Sequence, residues 1–311
     1  MLGEKKDPRK IFGAAVSELA EQEERIVVLS ADSGGSSGFK DFAKKHPDRY
    51  FEFGIMEQTV TGVASGMASV GKIPVFCAIA PFVTCRNYEM FRNDLGYMHQ
   101  NVKIVGRNGG FTYSDLGATH HSLEDFAIIR MIPGVTVLSP QDPGEIKAAV
   151  RAMIQQEGPV YMRIGNPPME ELWEEKEFEI GKGNILRDGK DLAIISTGSA
   201  TANVLHAAEL LEQKGNSVMV IGMPTIVPID SEIIRMAAQK TGKIMTVEEH
   251  YIEGGLGSVV AEVCSTQCCV PVKRHGVKKE YAISGGYEEL LAHYNLDAQG
   301  IANTACEFLG K

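Results

Sequence analysis

Glu57 is the side chain whose neighbours best suit it for chemistry. It stands in the run "FEFGIMEQTVTGVASGMASVG" (51–71), where a strand ends at Gly54 and a helix rich in Ala, Gly and Ser begins. Small residues let such a helix pack close to a neighbour. A carboxylate at its start has two uses. It complements the positive end of the helix dipole, or it is shut in by packing and exchanges a proton with a bound group. Residue types alone leave both open. Other signals are weaker. The Gly-rich "EGGLGS" (253–258) lacks the spacing and following acidic residue of a dinucleotide fingerprint. Cys77, Cys85, Cys264, Cys268, Cys269 and Cys306 fit no zinc pattern and read as free thiols of a reducing compartment. His250 reads as structural.

These residues need a scaffold, and the chain is long enough to supply two domains. It has 311 residues, 44% hydrophobic and 23% charged, with a net charge of −9. That acidity argues against a nucleic-acid surface but leaves room for a local basic pocket. The amino-terminal "MLGEKKDPRK" has no apolar signal core, and no apolar run is long enough to cross a membrane. A cytoplasmic protein is expected, with no membrane partner.

Apolar runs at 25–32, 73–80, 102–106, 135–140 and 160–164 alternate with amphipathic stretches such as "IFGAAVSELAEQ" and "PGEIKAAVRAMIQQ". Strands apolar throughout and separated by helices predict an α/β fold, a parallel sheet covered by helices on both faces. Residues 1–165 form this first domain. Residues 166–190, Pro-rich, then acidic, then Gly-rich, read as a linker around the lone Trp173. Residues 191–311 read as a second, smaller α/β domain, with strands at 191–199, 217–223 and 243–249.

Several segments together resemble the transketolase family. G-I-x-E-Q before a small-residue helix resembles its pyrimidine-binding domain, as do "DPRKIFGAAVSEL", "LSADSGGSS", "PFVTCRNYEMFRND" and "GATHHSLEDFAIIRMIPGVTVLSPQD". The phrases "TGSATANVLHAAELLEQKG", "MPTIVPID" and "VEEHYIEGGLGSVVAEV" are similar to its C-terminal domain, which builds the dimer and carries little chemistry. The resemblance covers roughly residues 8–310.

It implies thiamine diphosphate as cofactor. Glu57 would hydrogen-bond the aminopyrimidine ring and share its proton, so that the ring amine can deprotonate the thiazolium carbon. Asp32 would lie near the cofactor, Phe82 would stack on the ring and Ile79 would pack beside it. Arg9, Ser36 and Arg86 would contact substrate phosphate, and His120 would face the substrate. For Phe82 the plain alternative is core packing, and for Arg86 a surface ion pair.

Three departures touch substrate recognition. Leu116 stands where the family has an acidic residue, or an insertion displaces Asp115 from that place. Arg107 or Asn108 stands where it has a substrate-facing histidine. Asn166 replaces the second of two arginines, leaving Arg163 as an anion contact. His121 replaces the usual glutamine.

The family's diphosphate domain has a G-D-G signature and a later asparagine, which hold Mg2+ through oxygen ligands. No such segment is visible, and no metal ligands are assigned in this chain. The expectation is a second polypeptide carrying that domain, an α2β2 assembly, and two-carbon ketol transfer between sugar phosphates. The competing readings are the β subunit of a 2-oxo-acid dehydrogenase and a non-catalytic regulatory subunit.

Overall fold

The computed structural model describes residues 3–173 and 178–310. The first unit runs β1 (Lys5–Lys6), α1 (Pro8–Ala20), β2 (Ile26–Ser30), α2 (Lys40–Lys45), β3 (Tyr50–Glu52), α3 (Glu57–Ser69), β4 (Ile73–Ile79), the short α4 (Ala80–Val83) and α5 (Tyr88–Met90), β5 (Lys103–Arg107), α6 (Asp125–Ile129), β6 (Thr136–Leu138), α7 (Pro143–Gln155), β7 (Val160–Arg163) and β8 (Met169–Glu170). The second runs β9 (Asn184–Arg187), β10 (Leu192–Ser196), α8 (Ala200–Gln213), β11 (Val218–Gly222), β12 (Thr225–Val227), α9 (Ser231–Thr241), β13 (Ile244–Tyr251), α10 (Leu256–Gln267), β14 (Val272–Val277), α11 (Tyr287–His293) and α12 (Ala298–Leu309).

Local chemistry sets the helix starts. Asp7 caps α1, accepting from Arg9 N–H at 2.9 Å, with Pro8 at the first helical position. Asp142 does the same for α7 from Glu145 N–H at 2.7 Å, followed by Pro143. Asp230 and Asp297 cap α9 and α12, and Gly242 and Gly310 end those helices in the left-handed region.

The large sheet has the order β12-β6-β7-β5-β4-β2-β3. Every neighbouring pair is parallel except β12, which runs antiparallel to β6. Both faces are covered, as the unbroken apolar runs require. Val27 and Leu29 of β2 face one core with Phe76, Phe91 and Phe126. Ile26 and Val28 face the other, with Phe12 and Val16 of α1 and Ile146 and Val150 of α7. The second sheet has the order β14-β13-β10-β11-β9, parallel except for β9.

Two features tie the units more closely than a linker would. Strand β12 lies in the second unit's sequence yet closes the edge of the first unit's sheet. The stretch 166–190 contributes β8, which pairs with β1, and β9, which joins the second sheet. The stretch read as a linker thus carries two short strands, and its residues 174–177 lie outside the described residues.

Between the units lies a buried polar network. Asp125 accepts from Arg163 Nη1 at 3.1 Å and Tyr161 Oη at 2.6 Å. Arg163 also donates to the Glu249 carbonyl at 2.6 Å and lies over the Phe126 ring. Gly109 and Gly110 cross directly over this guanidinium, where a Cβ at Gly109 would fall 2.3 Å from Arg163 Nε. The Glu249 carboxylate accepts from Ser199, Tyr287 and Phe111 N–H. His250 Nδ1–H donates to the Tyr251 carbonyl at 2.7 Å, while Nε2 accepts from Ala127 N–H at 3.3 Å. That geometry requires a neutral ring, and burial pushes its pKa down to about 4.

Asp125→Asn leaves Arg163 buried without its counter-ion and is expected to cost about 3–5 kcal/mol in urea unfolding. His250 supplies a pH signature. Its folded pKa of about 4 lies below the unfolded value of about 6.5, so the unfolded chain binds the extra proton. Stability is therefore lost as pH falls through that window. Thermal midpoints measured in steps should show a shallower slope over it for His250→Leu than for the wild type.

Candidate active site

The parallel strands of the large sheet end on one side, and a crevice beyond such carboxyl ends is where open α/β sheets bind ligands. Nearly all the sequence-derived candidates lie on loops leaving β2, β3, β4 and β5. Gly54, with φ +72°, turns the chain out of β3, and Glu57 opens α3 three residues later. The Glu57 side chain is only 4% exposed.

Arg86 Nη1 donates to both Glu57 oxygens, at 2.8 Å each. The same guanidinium stacks on the Phe82 ring, with Cζ 3.9 Å from its centroid. Phe82 in turn meets the His120 ring edge to face at 5.2 Å. His120 Nδ1 lies 2.9 Å from Thr119 Oγ1, and Tyr113 packs 5.4 Å from its ring. The structure thus brings Glu57, Phe82, Arg86 and His120 into one cluster. The reading of Arg86 as an ion-pairing residue is what the geometry displays, with the catalytic candidate itself as partner.

A second cluster adjoins it. Ile79 ends β4 and is the register partner of Arg107 on β5. Arg107 is 4% exposed, and its partners are uncharged: Ser37 Oγ at 3.2 Å, Ser36 Oγ at 2.9 Å and Asn108 Oδ1 at 2.7 Å. Among the described residues no carboxylate pairs with it. A buried cation held by hydroxyls and an amide is arranged to receive an anion. The loop carrying Ser36 is fixed from below, because Ser33 and Ser37 both donate to the Cys77 carbonyl near the end of β4. Gly38, with φ +85°, lies against the Arg9 carbonyl, where a Cβ would fall 2.3 Å away. Asn108 and Asp32 both hold left-handed backbone, φ +59° and +56°. Such strain in non-glycine residues gathers at functional sites.

Three candidates stand apart from these clusters. Arg9 pairs with the carboxylate of Asp7, the cap of α1, with contacts of 3.1 and 3.0 Å. Arg163, expected as an anion contact, is taken up by Asp125 and the Glu249 carbonyl, because a buried guanidinium needs its charge met locally. Asp32 is held through its backbone N–H, which donates to Glu52 Oε1 at 2.7 Å.

Glu52 was not among the sequence candidates. Its carboxylate accepts from Asp32, Phe53 and Gly54 N–H and from Tyr50 Oη, binding the turn after β2 to the turn before α3. Partial burial raises its pKa, but these donors outweigh that and hold it below the usual carboxylate range. Ser37 was also missed, although it sits beside Ser36 in "GGSS". Nothing in either local sequence separates them from an ordinary surface acid or loop serine. Cys85 borders the cluster with its surface open to solvent, and desolvation together with the neighbouring Glu124 carboxyl, which accepts from its thiol at 3.4 Å, raises the thiol pKa.

Comparison with known proteins identifies the family of the two units. Residues 4–167 match the transketolase pyrimidine-binding domain, and residues 181–301 match the transketolase C-terminal domain. The chain is 41% identical over 305 residues to one of the subunits of the apulose-4-phosphate transketolase of Phocaeicola vulgatus, spanning 97% of each chain. It is 37% identical over 291 residues to the 6-deoxy-6-sulfo-D-fructose transketolase subunit SqwH of a Clostridium species, covering 93% of this chain and 90% of that one. A solved split gene transketolase, described as an inactive β4 tetramer, superposes with a TM-score of 0.92 at 38% identity over 98% of each chain. The chain belongs to the transketolase family, built as that family's pyrimidine-binding domain followed by its C-terminal domain.

Proposed function

We propose that this chain is the cofactor-activating subunit of a two-chain transketolase, moving a two-carbon ketol unit from a ketose to an aldose. The carrying observation is the Glu57 cluster: a shut-in carboxylate facing a planar N–H-bearing cation stacked on Phe82. An aminopyrimidine offers a flat face for Phe82 and a ring nitrogen that can share a proton with the Glu57 carboxyl. The donor set therefore fits the ring of thiamine diphosphate.

When bound, that cofactor supplies the carbon nucleophile that cleaves and reforms the C–C bond. This chain's residues do the rest of the work on their side. Glu57 holds the ring nitrogen and its proton. Phe82 stacks the ring, with Ile79 beside it. His120 has Nδ1 engaged by Thr119, which leaves Nε2 for a substrate hydroxyl. Arg107, with Ser36, Ser37 and Asn108, receives the anionic end of the sugar. Two relatives are named for a sugar phosphate and a sulfonated sugar, both anionic.

The partner reading rests on the site's rim. Ile55 and Met56, just before Glu57, are 70% and 50% exposed. Apolar side chains left open beside a charged cleft suit a covering chain. That partner would hold the diphosphate and Mg2+, giving an α2β2 assembly, in keeping with relatives named as subunits. Leu116, 45% exposed, and Asn166, bonded to the Thr112 carbonyl, replace an acid and an arginine at the acceptor end. Acceptor choice is therefore expected to differ from that of sugar-phosphate transketolases with those charges.

The reconstituted pair, assayed with thiamine diphosphate and Mg2+, should lose about 10²–10⁴-fold in kcat on Glu57→Ala, the range for removing a positioned proton carrier. Full activity in that variant would end the assignment, and oxidative decarboxylation of pyruvate would favour the dehydrogenase reading. Arg107→Met removes a buried cation without a carboxylate partner, so its melting temperature should equal or exceed that of the wild type. Inorganic phosphate should raise the wild-type midpoint and leave the variant unmoved. The KM for an anionic sugar should rise about tenfold or more, the value of one charge-assisted contact.

A further inference from the structure

We propose that Arg86 is a built-in occupant of the cofactor's ring position, seated on Glu57 and Phe82 until the ring displaces it. The proposal rests on the reading of Glu57 as the ring-binding carboxylate and adds an opening step to it. The geometry is one of direct overlap. The guanidinium covers the Phe82 face at 3.9 Å and takes both oxygens of Glu57 at 2.8 Å. A second planar donor group cannot use the same face and the same oxygens. While Arg86 is seated, the carboxylate is tied to a permanent cation, and arginine has no proton to give up at working pH. Glu57 then cannot serve as a proton carrier.

The backbone beneath Arg86 is pinned while the side chain is free to swing. Arg86 N–H donates to the Pro81 carbonyl at 3.1 Å, and Gln58 Nε2 donates to the Arg86 carbonyl at 3.0 Å. The next residue, Asn87, is fully buried and donates to Thr61 Oγ1 at 2.7 Å. Thr61 in turn donates to the Glu57 carbonyl one turn earlier, so the pivot and the carboxylate ride on one rigid piece. The Arg86 side chain is 40% exposed against 4% for Glu57. It can leave toward solvent without breaking any other hydrogen bond among the described residues.

The seated state also answers a need of the chain by itself. Among the described residues Glu57 has no second ion-pair partner, and an unpaired buried carboxylate is costly. Arg86 meets that charge in the chain alone, and the cofactor ring meets it in the loaded assembly. Binding is therefore an exchange of one planar partner for another. Apparent affinity falls in proportion to the fraction of chains whose ring position is open.

The test uses the reconstituted pair with Mg2+, titrated with thiamine diphosphate by calorimetry, comparing wild type with Arg86→Ala and with Arg86→Met, which keeps an apolar stem over Phe82. A position filled about nine-tenths of the time predicts about tenfold tighter binding in both variants. Equal or weaker binding in both would overturn the proposal. A second measurement needs no cofactor. In the chain alone, Arg86→Ala should lower the melting temperature by stranding Glu57, and adding Glu57→Gln should restore it. Additive effects in that cycle would show that the pair does not interact. Failure of the wild-type pair to bind thiamine diphosphate would instead sink the thiamine reading, while the cycle would still report on the pair.

Discussion

A carboxylate buried at the first position of a helix has to be met by something. Glu57 lies there because the run of small residues in α3 lets that helix settle closely over β4 and the segment that follows it. Burial strips the side chain of water, and the dipole of α3 offsets only part of that cost. The group that completes the compensation is therefore decided by competition. In this chain it is a guanidinium on Phe82, and in the proposed assembly it is a cofactor ring.

The large sheet supplies the placement. Parallel strands bring the ends of β2, β3, β4 and β5 to one edge, so residues far apart in sequence meet within a few ångströms. Glu52 shows how this is stabilised, since one side chain collects three backbone N–H groups from two different turns. The second unit stiffens the same edge from behind. Strand β12 extends the sheet, and the Asp125–Arg163–Glu249 network locks the loops after β5 against β13. The C-terminal unit thereby packs against the loop that leaves β5.

Charge is divided between two kinds of arginine. Arg163 is buried with Asp125 as its counter-ion and holds the fold together. Arg107 is buried with only hydroxyls and an amide around it, so its positive charge remains available to a ligand. Arg86 stands between these types, paired yet half open. Residue type alone could not have separated the three, because each is an arginine on the carboxyl-end side of an apolar strand.

What the sequence by itself determined follows from local rules. Apolar runs of strand length alternating with amphipathic helices dictate a parallel sheet covered on both faces, and capped helix starts at Asp7, Asp142 and Asp230 follow from side-chain chemistry within a turn. Glu57, Phe82 and His120 stood out in the sequence through their motifs, and the fold brings them together. Tertiary structure alone decided the rest. Strand β12 is three residues long and holds its place only by pairing with β6, and the 166–190 stretch became two strands because partners lay within reach. The partners of Arg9, Arg86, Arg107 and Arg163 depend on which charges burial brings together. Long side chains reach across the fold, so their pairing is a property of the packed molecule and not of the sequence around them.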